Sequence, residues 1–241
     1  MIYDDLSFLG SISIEIGLGC NLSQSHTMCP AHCLERDNKD CLSDDQIISI
    51  LDQANSLKFN GYFAFHFYNE PLLHIERIDR IIKQRPNYKY LLWSNGTLIK
   101  RTLDLGYSFE IFDRIVFTKY DESDIDMMNH IKSIHPNTEI YDADMDERLN
   151  FYENDTENYF TCKKVYLELP IDYSGKAYIC SFDWNGEYII GDLQKQTLEE
   201  VFKSETYQNI LKENKGRLRH GSTVELCKKC TRPCLELSVI I

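Results

Sequence analysis

Through residues 1–145, short strand-like runs alternate with amphipathic helical patterns, and this alternation restricts the fold more than any other feature. The runs Ser11–Gly19, Tyr62–Tyr68, Tyr88–Trp93, Arg114–Lys119 and Thr138–Tyr141 are rich in β-branched or aromatic residues, which suit a pleated surface. Between them, "SDDQIISILDQANSL" opens on Ser43 as an N-cap and sets Ile47, Ile50, Leu51 and Ala54 on one face. Ile75, Ile78, Ile81 and Ile82 repeat that pattern, as do Ile125, Met128, Ile131 and Ile134. Such an order predicts parallel strands with helical crossovers, in an open sheet or a barrel. In either, ligands gather where the strands end. Three polar clusters fall there: Gly19-Cys20, Asn69-Glu70-Pro71 and Ser94-Asn95-Gly96-Thr97. Each alone reads as turn chemistry; together they mark one rim, which Thr118 and Lys119 extend at the fourth strand.

The nine cysteines are grouped rather than scattered. Cys20, Cys29, Cys33 and Cys41 follow the first strand, and Cys162, Cys180, Cys227, Cys230 and Cys234 fall in the tail. Three thiolates on one loop can hold three irons of a cubane and leave the fourth iron open, while four can saturate a second cluster. A disulfide framework needs an oxidising compartment. The acidic start "MIYDDLSFLG" lacks the basic segment and long apolar run of a signal peptide, and the cysteine count is odd. Zinc is the competing ligand for the tail, where Cys227-x2-Cys230 and a distant pair fit a zinc ribbon.

After Tyr159 the texture changes. "CKKVYLELPIDYSGKAYIC" reads as two strands around a turn at Asp172–Gly175, which can bring Cys162 and Cys180 together. "TLEEVFKSETYQNILKEN" is helical and opens with a Thr197/Glu200 capping box. So small a tail needs a staple, which a metal or cluster would provide. The net charge of −12 argues against nucleic-acid or anionic-membrane partners. No apolar run approaches the roughly 20 residues that span a bilayer. The expected location is the cytoplasm.

Together these segments resemble the radical S-adenosylmethionine (SAM) enzymes with a SPASM/Twitch-type auxiliary iron–sulfur extension, over nearly the whole chain. "GLGCNLS" resembles the family's first-strand exit into the cluster loop. "FYNEPLL" resembles its glycine-glycine-glutamate-proline segment, with Tyr68 and Asn69 in place of the glycines. "SNGTLI" is similar to the third-strand segment near the SAM ribose, and Cys162-x12-Gly175-x4-Cys180 to the auxiliary-domain pattern. The cluster loop departs from the usual Cys-x3-Cys-x2-Cys: here it is Cys-x8-Cys-x3-Cys, with His32 before the third cysteine.

The resemblance implies an α/β fold: a partial (β/α)6 TIM-like barrel over residues 1–155, and a small Twitch β-hairpin/helix domain over 156–241. It implies SAM and two [4Fe-4S] clusters as cofactors. Cys20, Cys29 and Cys33 would anchor the first cluster, with Cys41 as a possible replacement for one of them. Cys162, Cys180, Cys227 and Cys230 would anchor the second, with Cys234 as the alternative to Cys230. Asn69, Glu70, Ser94, Asn95, Thr118 and Lys119 would bind SAM. No acid, base or radical-quenching residue is assigned; His26 and His32 in the loop, and His66 on the second strand, are weaker candidates. A flavodoxin- or ferredoxin-type electron donor is expected. The leading expectation is modification of a ribosomally made peptide, such as tyramine excision, crosslinking or epimerisation, with a leader-binding partner protein. The alternative is dehydrogenation of a small alcohol such as an aminocyclitol. A zinc-stapled α/β binding protein is the non-enzyme alternative.

Overall fold

The computed structural model describes residues 3–26, 29, 31, 36–143, 163–183, 186–214 and 224–230. Five strands, β1 (Ser11–Ile14), β2 (Tyr62–Ala64), β3 (Tyr90–Ser94), β4 (Arg114–Lys119) and β5 (Thr138–Asp142), pair in parallel in sequence order. The crossovers carry helices α1 (Asp44–Ser56), α2 (Ile75–Gln84), α3 (Ile99–Asp104) and α4 (Ile125–Ile134). Strand β6 (Glu168–Ile171) also runs parallel, but beside β1 rather than β5, with Ser11 opposite Glu168. Strands β7 (Lys176–Tyr178) and β8 (Ile189–Asp192) then continue antiparallel to the far edge. The sheet is open, ordered β5-β4-β3-β2-β1-β6-β7-β8, as in a partial barrel. The 155/156 boundary lies outside the described residues, and β6–β8 extend the same sheet as β1–β5.

Helix α1 starts at the expected N-cap, and Gln46 completes a capping box with Ser43. Its predicted apolar face is buried, as is that of α2. Arg77 of α2 fastens both helices to the strand ends: its guanidinium bonds the Ile16 and Leu42 carbonyls and Asp44 Oδ1. In α4 only Met128 and Ile131 are buried, and Ile134 is 61% exposed. Steps of three residues fall about 60° short of a turn, so the i, i+3 series carries Ile134 round to the face opposite Ile125. Strand β2 stops four residues before the predicted end at Tyr68, for a specific reason. The Asn69 side chain takes the Phe67 N–H (3.0 Å) and bonds the Phe65 carbonyl (3.2 Å), replacing the ladder.

In the tail the Asp172–Gly175 turn between β6 and β7 stands as expected. A helical turn, α5 (Lys164–Leu167), precedes β6. The long predicted helix divides at Ser204 into α6 (Leu198–Lys203) and α7 (Glu205–Asn214). Ser204 takes up an extended conformation, and its hydroxyl accepts the Tyr207 N–H at 3.2 Å, so it acts as a second N-cap. The last described element is α8 (Glu225–Lys229). No helix among the described residues is long and apolar enough to cross a membrane.

The alternation of side chains along each strand gives the sheet two faces of different character. Ile12, Ile14, Phe63, Phe65, Leu92 and Ile115 belong to the main core with the helices. On the other face Ala64, Leu91 and Val116 form a small apolar patch with Tyr62, Trp93 and Tyr141. Ser11 and Ser13 of β1 and Glu168 of β6 lie on that face too, and there the candidate site is built.

Candidate functional site

At the rim, Glu70 is 2% exposed and organises two strand exits. It accepts hydrogen bonds from Leu72 N (3.0 Å), Ser94 Oγ (2.6 Å) and Asn95 N (2.9 Å). Burial raises its carboxyl above the usual range against the effect of these donors. Ser94 in turn accepts from Gly96 N, and the positive φ of Gly96 (75°) closes the turn over Met128. Asn95 Oδ1 accepts from Thr97 N and Thr97 Oγ1, while its Nδ2 donates to Asn21 Oδ1 (3.0 Å) and approaches Cys20 Sγ (3.8 Å). Asn69 spends its side chain on its own turn, and Thr118 Oγ1 accepts from the Trp93 indole at 2.9 Å. Lys119 turns to Glu122 and to Asp142 (2.7 Å). The structure thus brings Cys20, Glu70, Ser94 and Asn95 together and commits Lys119 elsewhere.

Cys20 and Cys29 both line one cavity of about 390 Å³. Burial pushes the Cys20 thiol up to about 11, with Glu70 and Cys29 adding to the shift. His26 meets Tyr120 edge-on at 4.5 Å, which docks the cysteine loop against the β4 exit. The far side of the loop is fixed by Arg36, whose guanidinium grips Glu15 with both ends (2.7 and 2.5 Å). Glu15 also accepts from Tyr68 N and Tyr173 N, each at 3.2 Å. The Arg36 Cζ sits 5.5 Å and 5.0 Å from the centres of the Tyr68 and Tyr173 rings. Cys41 has a different setting, among Arg77, Glu15, Arg36 and Asp40. Cys33 lies outside the described residues, as does His32.

Below the rim the cavity wall is polar. Ser13 Oγ donates to Glu168 Oε1 at 2.7 Å, Lys164 Nζ pairs with Glu168 Oε2 at 2.6 Å, and Ser11 Oγ bonds the Leu167 carbonyl at 3.1 Å. Glu168 is 6% exposed. Burial opposes its ionisation, but Lys164, His66 and Ser13 outweigh it and hold the carboxyl down at about 2.

In the tail, Cys180, Cys227 and Cys230 lie close enough for the latter two to raise the Cys180 thiol, which burial alone pushes up most. Its resulting value is about 12. The Phe182 N–H points at Cys180 Sγ (3.4 Å), and Tyr68 Oη donates to the neighbouring Ser181 carbonyl at 2.9 Å. Cys162 and Cys234 lie outside the described residues. Among the described residues no three His, Cys, Asp or Glu side chains are placed to hold a single metal ion. The donor chemistry nevertheless fits iron–sulfur clusters: soft sulfur ligands, each group with an N–H directed at a sulfur.

Sequence reasoning passed over Glu15, Arg36, Ser13, Lys164 and Glu168. A signal was present in "SISIEIG", where Ser11, Ser13 and Glu15 alternate with Ile12, Ile14 and Ile16. Parallel strands covered on both faces are normally apolar throughout; strict alternation marks one face as the wall of a wet cavity.

Residues 162–231 match SPASM, described as an iron-sulfur cluster-binding domain. The chain is 21% identical over 244 residues to the S-adenosyl-L-methionine-dependent 2-deoxy-scyllo-inosamine dehydrogenase of Niallia circulans, covering 93% of this chain and 94% of the relative. Its fold is similar to that of BtrN in complex with AdoMet and 2-DOIA, with a TM-score of 0.72, 20% identity and 93% of each chain covered. It is also similar to anSMEcpe with bound AdoMet, with a TM-score of 0.58, 14% identity, and 86% of this chain and 83% of that one covered.

Proposed function

We infer that this chain, a radical SAM enzyme with a SPASM/Twitch-type iron–sulfur domain, oxidises a carbon that bears a hydroxyl in a small polar molecule. The observation that carries this reading is a cavity with thiols at its mouth and a buried, charged, hydroxyl-rich wall beneath them. Small-molecule sites of this size place a few convergent polar groups in a concave pocket. The relative that spans nearly the whole chain takes, by its name, an amino-substituted cyclic polyol. Peptide modification, the leading expectation from sequence, is the second reading.

When bound, the clusters supply the electron that cleaves SAM to methionine and a 5′-deoxyadenosyl radical, and accept the electron that the substrate radical gives up. The balance closes with SAM and a secondary alcohol giving methionine, 5′-deoxyadenosine, a ketone and a proton. In this proposal Cys20, Cys29 and Cys33 anchor the first cluster, and Cys162, Cys180, Cys227 and Cys230 the second. Asn95 and the backbone at Asn69 and Glu70 frame SAM. Glu70 and Ser94 act by holding the β2 and β3 exits at a fixed separation. Thr118 and Trp93 form a fixed wall beneath them. Arg36 and Glu15 keep the lengthened cysteine loop seated on the sheet.

The test is anaerobic incubation of the iron-loaded protein with SAM and a reductant, against aminocyclitols, inositols and short peptides. Formation of a ketone from a cyclitol, one per 5′-deoxyadenosine, supports the reading. Peptide modification without any alcohol oxidation overturns it. Stoichiometric zinc without iron in the protein as isolated would sink both readings.

A further inference from the structure

The deep end of the cavity is chemically unlike its mouth. At the mouth stand Cys20, Cys29 and the amides of the rim. At the level of the first residues of β1 and β6, away from that rim, stand Ser11, Ser13, Lys164 and Glu168. A carboxylate buried on a sheet face carries a large desolvation cost, and an apolar residue there would be less costly to the fold. Ser13 fills one acceptor site on Oε1 of Glu168, and Lys164 pairs ionically with Oε2 at 2.6 Å without completing a hydrogen bond to it. An ionised carboxylate has about four such sites, so Glu168 keeps capacity for a ligand. Of the other lining carboxylates, Glu70 is bonded into the rim and Asp142 pairs with Lys119, so Glu168 is the acid that faces this end of the cavity. Its spare acceptor capacity suits a positively charged group, with the Ser11 and Ser13 hydroxyls beside it.

We propose that Glu168 is a specificity-determining residue that receives a protonated amine of the substrate, with Lys164 donating to an adjacent hydroxyl oxygen, so that the enzyme takes a vicinal amino alcohol. This deepens, and rests on, the reading of the chain as an alcohol-oxidising enzyme. The amine end is anchored at the β1/β6 wall, and the rest of the ring extends toward the Cys20 end of the cavity, where SAM is framed. Holding the carboxylate ionised is a consequence of Lys164 and His66 lying beside it.

Binding and turnover are measured separately on the SAM-loaded holoenzyme. The probes are 2-deoxy-scyllo-inosamine and the amine-free scyllo-inositol. Glu168→Gln keeps an acceptor for Ser13 and removes the charge. It is expected to weaken calorimetric binding of the amine by about 10- to 100-fold, the worth of a charge-assisted hydrogen bond, and to change inositol binding by less than about 3-fold. Iron content stays at the wild-type level. Lys164→Gln leaves the carboxylate buried without its cation, so the amine probe should raise the melting temperature of this variant by more than it raises that of wild type. Misfolding cannot give these opposite effects, and if Glu168→Gln does not fold, the Lys164→Gln arm decides. Wild-type protein that binds the amine no better than the inositol, or a Glu168→Gln variant that binds it as wild type does, overturns the proposal. An enzyme that binds the amine through Glu168 but oxidises neither probe keeps this site and rejects the dehydrogenase reading. A Glu168→Gln variant that oxidises the amine as well as wild type does the reverse.

Discussion

Replacing Arg36 by Ala should destabilise the fold in a way that depends on pH. The Glu15 side chain is 0% exposed and that of Arg36 10% exposed, so water does little to screen the pair. Removing one partner of a buried, bidentate ion pair costs about 3–5 kcal/mol. In a domain of this size about 1 kcal/mol moves the melting temperature by roughly 2–4 °C, which gives a fall of about 6–20 °C. The pH dependence follows from Glu15. Burial pushes its carboxyl up from 4.5 to about 7, and Arg36 is the strongest influence opposing that rise. With a folded pKa above the unfolded one, the folded chain takes up a proton. Stability then falls as pH rises from the unfolded value toward the folded one, by about 1.4 kcal/mol per unit. In wild type the fall levels off near the folded value of about 7. In Arg36→Ala the folded value moves higher still, so the fall continues. From about pH 7 to about pH 8 the variant should lose roughly 2–4 °C more than wild type, which still falls by about a quarter of a pH unit's worth over that range. Differential scanning calorimetry of the iron-loaded proteins, anaerobic and at one scan rate, measures this. Parallel pH profiles, or a deficit below about 2 °C, would refute the role of Arg36 and Glu15 as the clamp on the cysteine loop.

Other expected outcomes follow from the same geometry. Cys29→Ala should remove about four irons per chain and abolish SAM cleavage, whereas Cys41→Ala should keep both, as read by iron analysis and 5′-deoxyadenosine formation. Replacing Cys162, Cys180, Cys227 and Cys230 together should also remove about four irons and halt ketone formation while sparing SAM cleavage. Glu70→Gln should weaken SAM binding at least about 10-fold through loss of the charge-assisted bonds that fix the β2 and β3 exits, with iron content unchanged. Glu168 has a depressed folded pKa near 2 against 4.5 unfolded, so its ionic stabilisation is full above about 4.5 and is lost as pH falls toward about 2. Acid unfolding of Glu168→Gln should therefore show a weaker pH dependence than wild type over that window.

The strand–helix order was legible because each parallel strand and crossover helix carries its own period. Helix α2 and strand β4 stand where the periodicity placed them. The rim was legible for a similar reason, since strand ends in an open α/β sheet share one edge. Other features depend on contacts that no local window contains. Strand β2 stops early because Asn69 captures its backbone, and β6 joins β1 across more than 150 residues of sequence. Arg36 was silent because its partner Glu15 precedes it by 21 residues across the loop. The Ser/Ile/Glu alternation of β1 was visible in the sequence. Its meaning needed the knowledge that helices cover only the isoleucine side, leaving Ser13 to meet Glu168.

Deuterium transfer tests whether the enzyme abstracts hydrogen from a carbinol carbon. The reconstituted enzyme is incubated anaerobically with SAM, a reductant and 2-deoxy-scyllo-inosamine deuterated at its carbinol carbons, and the 5′-deoxyadenosine is analysed by mass spectrometry. Hydrogen abstraction from a carbinol carbon predicts one deuterium in the 5′-deoxyadenosine, with an equal amount of ketone product. Unlabelled 5′-deoxyadenosine formed without ketone contradicts it.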